Sequence, residues 1–88
     1  MGMVPGRLIL TLCSDGSVQM LFMPDSGMGN ARPLFLRSTA RAKDELVRTF
    51  GFAQARAEER IAELEIKGQV DVAISIDEGL AASLFRQR

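Results

Sequence analysis

Histidine, tryptophan and tyrosine are absent from this 88-residue chain, and cysteine occurs once. Without histidine the chain lacks the commonest general base and the commonest metal ligand. A single cysteine without histidine also excludes zinc sites of the Cys/His type and any internal disulfide. Neither sign of charge dominates: Lys plus Arg is 11 and Asp plus Glu is 11, so no overall charge draws the chain to nucleic acid or to an anionic membrane. No apolar run reaches the length of a membrane span. Met1 to Gly6 lacks the charged region and long apolar stretch of a signal peptide. The expectation is a cytoplasmic protein with no membrane partner.

The chemistry that remains is sparse. Cys13 closes the apolar run Arg7 to Cys13, where a thiol reads as a buried, unreactive small hydrophobe. Carboxylates occur as neighbours at Asp44-Glu45, Glu58-Glu59 and Asp77-Glu78. Adjacent positions on a helix do not face each other, so none of these is a natural acid–base couple. Helix-surface solvation accounts for the first two pairs and capping for the third. The segment Ser26-Gly27-Met28-Gly29-Asn30 lacks the Gly-Lys-Ser/Thr ending of a phosphate-binding loop. No catalytic residue, metal or cofactor is assigned, and the chain is read as a non-enzyme.

What the chain does contain is apolar side chains: 47% of the residues are hydrophobic and only 6% aromatic, so aliphatic residues and methionine must build the core. Residues 1–88 suffice for one small domain, whose core is thin for its surface. Arg7 to Cys13 and Val18 to Met23 are apolar runs joined by Ser14-Asp15-Gly16-Ser17, a strong hairpin signal. Both runs are apolar on both faces. Leu8, Leu10 and Leu12 alternate with Ile9, Thr11 and Cys13, and Val18, Met20 and Phe22 alternate with Gln19, Leu21 and Met23. A hairpin with one wet side would alternate polar and apolar residues, so this one calls for cover on both sides. Three helices can supply one cover. The other points to a homodimer, with Ile9, Leu21 and Met23 at its interface.

Pro24 to Pro33 is rich in Pro, Gly, Asn and Asp and reads as a flexible loop with Met28 exposed at its tip. Pro33 to Arg37 then reads as a short strand with Leu34 and Leu36 opposite Phe35. Ser38 or Thr39 caps a helix running to about Phe50, with Ala42, Leu46, Val47 and Phe50 as its buried stripe. Gly51 is its stop. A second helix spans about Ala53 to Ile66, buries Ala53, Ala57, Ile61 and Leu64, and ends at Gly68. Val70 to Asp77 alternates as a one-sided strand, and Asp77 caps a last helix docked by Leu80, Ala81, Leu84 and Phe85. The predicted order is β-β-β-α-α-β-α: an α+β domain with a small, mainly antiparallel sheet and helices on one face.

Basic residues gather in the middle, seven against four acidic ones over residues 32–60. There the stretch Glu45 to Val70 resembles the helix, Gly turn, recognition helix and strand of the winged-helix DNA-binding group, with Leu46, Gly51, Ala57, Ile61 and Leu64 at its apolar or small positions. That resemblance covers about a quarter of the chain and implies Gln54, Arg56 and Glu59 at the major groove and Arg41 or Arg48 at phosphates. Glu58 and Glu59 and the missing second wing strand depart from the pattern. Phe50-Gly51-Phe52 also resembles the Met-Gly-Phe loop of ubiquitin-associated domains, but β-branched residues at strand spacing follow where that bundle has a third helix. Two roles therefore stand beside the plain helical corner. The favoured one is contact with an unidentified protein through Met28, Arg41, Arg48, Phe50, Phe52 and Arg56, in a self-associated, non-catalytic module. The alternative is a nucleic-acid-binding regulator using the helices around Gly51.

Overall fold

A computed structural model describes residues 2–27 and 32–85. Its elements follow the predicted order: β1 (Met3–Leu12), β2 (Val18–Pro24), β3 (Leu34–Leu36), α1 (Thr39–Arg48), α2 (Gln54–Lys67), β4 (Gln69–Asp77) and α3 (Glu78–Leu84). The four strands form one antiparallel sheet in the order β3-β2-β1-β4, with the helices on one face. The hairpin register pairs Ile9 with Leu21 and Leu8 with Phe22. Asp15 secures the turn by accepting bonds from the Ser17 hydroxyl at 2.6 Å and the Ser17 amide at 3.0 Å. Those bonds hold the Asp15 carboxyl below its ordinary pKa, the hydroxyl bond being the larger cause.

β1 begins four residues before the expected Arg7, taking in Pro5 and Gly6. Each is tolerated for a physical reason. Pro5 C=O accepts from the Asp25 amide at 3.0 Å, so Pro5 lies opposite the residue just past the end of β2. Its missing N–H is lost where the ladder is already running out. Pro24, the last residue of β2 and the expected start of the loop, pairs with Gly6 on one side. On its other side β3 reaches only as far as Met20, so no ladder bond is needed there either. Gly6 admits a close approach: a Cβ there would meet the Met23 carbonyl oxygen, the Phe22 ring at 2.7 Å and the Pro24 Cα at 2.9 Å.

The helices are delimited as their sequences demand. Ser38 caps α1 by accepting the Arg41 amide at 3.2 Å. Gly51, at φ 72°, turns the chain in a conformation an L side chain resists, and the Phe52 amide closes the corner on the Leu46 carbonyl at 3.0 Å. Asp77 caps α3 through the Leu80 amide at 3.1 Å.

Leu8, Leu10, Val18, Met20, Phe22, Val70, Val72 and Ile76 of the sheet pack against Ala42, Leu46, Ala57, Ile61 and Leu64 of the helices. Fully burying each large side chain contributes roughly 1.5–3 kcal/mol against chain entropy. Phe85 completes the core at its far end, its ring 6.0 Å from that of Phe22 and 6.1 Å from that of Phe50. α3 is thereby held on the helix side. Cys13 departs from expectation. It lies one residue past the end of β1 and is half-buried rather than buried, because the turn begins there and leaves its side chain at the sheet margin.

Candidate functional site

The alternation of β1, β2 and β4 sends their even-numbered side chains toward the helices and their odd-numbered ones to the opposite face. On that second face the described residues place no helix. Its rows follow from the register. Phe35, Gln19, Thr11 and Gln69 form one row; Leu21, Ile9 and Asp71 the next; Met23, Arg7 and Ala73 the third. Among the described residues, three of the four large apolar side chains most open to solvent lie here: Phe35 at 64%, Met3 at 61% and Met23 at 45%. The fourth, Ile66 at 84%, stands at the end of α2 on the helix side.

The face divides chemically. Toward β3 and β2 it is apolar, with exposed Phe35 and Met23 flanking half-buried Leu21 and Ile9. Toward β4 it is polar: Arg7 Nε lies 3.6 Å from Asp71, and the Gln69 amide nitrogen donates to the Thr11 hydroxyl at 3.3 Å. Ile9 and Leu21 are cross-strand partners, so their side chains shield each other while their outer surfaces stay bare. The structure thus brings the expected interface residues Ile9, Leu21 and Met23 together. Phe35 joins them, beside Gln19 and one row from Leu21, while Met3 lies farther along β1 on the same face, opposite Asp77. Phe35 was legible from its alternation with Leu34 and Leu36, Met3 only once β1 is known to begin there.

The residues expected around Gly51 differ in exposure and in partners. Phe52 is buried and Phe50 half-buried against Phe85, so both serve the core and offer a partner little surface. Arg56 stacks on the Phe52 ring, its guanidinium 4.6 Å from the centroid. Arg48 lies 3.5 Å from Asp44 on the same exposed helix face. Arg41 is exposed and has no ion-pair partner among the described residues; it lines a shallow depression with Leu36, Arg37 and Ser38. Met28 lies outside the described residues.

The neighbouring carboxylates each have a local task. Glu45 accepts from the Thr49 hydroxyl at 2.7 Å, Glu58 accepts from Gln54 and lies 3.8 Å from Lys43, and Asp77 caps α3. Glu63 is held below its ordinary pKa chiefly by the 3.0 Å bond from Lys67, with the charges of Lys67 and Arg60 adding to it against some desolvation. Among the described residues no group of three or more His, Cys, Asp or Glu side chains could hold a metal ion, and no helix is long and apolar enough to cross a membrane. No protein-family model, curated protein or solved structure matches the chain.

Proposed function

We propose that this is a non-catalytic protein that acts through protein–protein contact, and that it pairs with a second copy of itself through the uncovered face of its sheet. The observation that supports this most is the position of Phe35 and Met23. Two of the four most exposed large apolar side chains among the described residues, Phe35 and Met23, flank Ile9 and Leu21 on one sheet face. Scattered apolar residues are normal on a surface, whereas a contiguous set on an uncovered sheet is the mark of an interaction site. A two-fold axis sets the apolar half of the face against its own copy and leaves Arg7 and Asp71 paired within each chain at the rim.

Sedimentation equilibrium across micromolar concentrations tests the reading with Leu21→Glu and Phe35→Ser, each checked for folding by circular dichroism. The proposal expects a self-associated native chain and folded variants of lower mass. Native chain at the monomer mass of 9.6 kDa throughout, or folded variants that associate as before, would overturn it. A salt-dependent shift on random duplex DNA would instead favour the nucleic-acid reading, because phosphate contacts release counterions.

A further inference from the structure

The two edges of the sheet are treated differently by the fold. β3 closes one edge with three residues, whereas β4 closes the other with nine. Short edge strands, prolines, bulges and lysines are the usual means by which proteins keep sheet edges from pairing. β4 has none of these: Gln69 to Asp77 contains no proline and no lysine, and its register with β1 runs without a bulge from Met3–Asp77 to Thr11–Gln69.

The hydrogen-bond parity shows which backbone groups this edge leaves free. Odd positions of β1 and its continuation bond toward β2, as the Asp25 amide does to Pro5 C=O at 3.0 Å and, just past the strand, the Cys13 amide does to Ser17 C=O at 2.8 Å. Even residues bond toward β4, as the Leu12 amide does to Gly68 C=O at 2.8 Å and as the Glu78 amide does to Gly2 C=O at 3.1 Å. Val70, Val72, Ile74 and Ile76 therefore spend their backbone groups on β1. In an antiparallel ladder the alternate residues point the other way. The N–H and C=O groups of Asp71, Ala73 and Ser75 thus form a regular row along the outer edge, with no backbone partner among the described residues.

We infer that this row pairs with the same row of a second chain, antiparallel about a two-fold axis at Ala73, so that the sheet continues from β4 into the partner copy's β4. The sequence of the strand is self-complementary in that register and in few others. Ala73 is the midpoint of Gln69–Asp77, so the whole strand overlaps its copy. Asp71 then lies opposite Ser75 of the second copy, whose hydroxyl can donate to it, and Asp77 lies opposite Gln69. A register centred on Asp71 would set like charges directly face to face, which is unfavourable. On the helix side the same pairing sets Ile74 beside Val72 of the copy. Ile74 is the one apolar core-side residue of β4 left half-buried, while Val70, Val72 and Ile76 are buried. The strand's carboxylates do not guard the edge, since Asp71 is held by Arg7 and Asp77 by the α3 cap. The axis runs perpendicular to the sheet, so both apolar faces look the same way. This contact is independent of the face pairing proposed above and remains if that pairing fails.

Amide hydrogen exchange by NMR decides it, measured at low micromolar and at near-millimolar protein on the native chain and on Leu21→Glu. Edge pairing expects the amides of Asp71, Ala73 and Ser75 to become as slow as those of Val70, Val72 and Ile74 at the higher concentration, in both proteins. Face pairing covers side chains and leaves those three amides without acceptors. Two variants test the register. Ala73→Lys sets two lysines against each other across the axis and is expected to weaken association about fivefold, the scale of a like-charge cross-strand pair. Ser75→Lys sets a lysine against the second copy's Asp71 and is expected to tighten it by a similar factor. Fast exchange at residues 71, 73 and 75 at the higher concentration would overturn the inference. So would a Ser75→Lys chain that associates less than the native one.

Discussion

Gly6→Ala probes the tightest point of the fold. The added methyl meets three neighbours, the Met23 carbonyl oxygen, the Phe22 ring at 2.7 Å and the Pro24 Cα at 2.9 Å, and two of these are backbone atoms of β2. Side-chain adjustment relieves only the ring, so β1 and β2 must move apart where the register pairs Gly6 with Pro24. Overpacking of this kind costs about 1–3 kcal/mol, and a backbone obstacle puts the site at the upper end. The lower entropy of an unfolded chain with Ala in place of Gly returns roughly 0.4–1 kcal/mol. The expected net loss is about 2 kcal/mol, which in a domain of this size lowers Tm by roughly 8–16 °C. Urea unfolding followed by circular dichroism should show a lower midpoint at unchanged slope. Gly2→Ala, with nothing near its Cβ, is the neutral control. Phe22→Leu in the Gly6→Ala background should restore little, because the Met23 carbonyl still stands in the way. A Gly6→Ala protein as stable as the native one would refute the close strand approach and, with it, the early start of β1.

Three further outcomes follow from other parts of the structure. Phe85→Ala removes a buried ring packed against Phe22 and Phe50 and should destabilise by about 3–5 kcal/mol, seen as a large drop in the urea midpoint. Gly51→Ala places a Cβ at φ 72° with open space around it, so strain alone acts and the loss should be about 1 kcal/mol; an unchanged melting temperature would mean that α1 and α2 are one helix. Lys67→Met should raise the Glu63 pKa toward its ordinary value in an NMR titration. A carboxylate with a depressed folded pKa adds stability above its unfolded pKa and loses it as pH falls through the folded one, so the native and Lys67→Met proteins should differ at neutral pH and converge in acid.

Much of this architecture is legible from periodicity. The Asp15-Gly16 turn, the two-faced alternation on either side of it and the helical stripes ending at Gly51 and Gly68 each carry a local physical reason, and the α+β order follows from them. The errors arise where tertiary context overrides a local signal. The first run was expected from Arg7, yet β1 takes in Pro5, where it outlasts β2, and Gly6, which fits beneath Phe22. What packs on Phe50 was equally invisible locally, since Phe85 meets its ring from thirty-odd residues away. Phe35 shows the reverse case. Its isolation opposite Leu34 and Leu36 was visible, but only the β2–β3 pairing sets it in the same face as Leu21 and Ile9. The free edge of β4 needed strand order as well as pattern, since Val70 to Asp77 alternates identically in a central and in an edge strand.

The central claim is that the helix-free side of the sheet is an interface between copies of this chain. Sedimentation equilibrium of the native protein beside Leu21→Glu tests it most directly. The expected result is a native mass of at least twice the 9.6 kDa chain at micromolar concentration, and a lower mass for the folded variant. A native protein that stays at 9.6 kDa throughout, or a Leu21→Glu protein of undiminished mass, would contradict it.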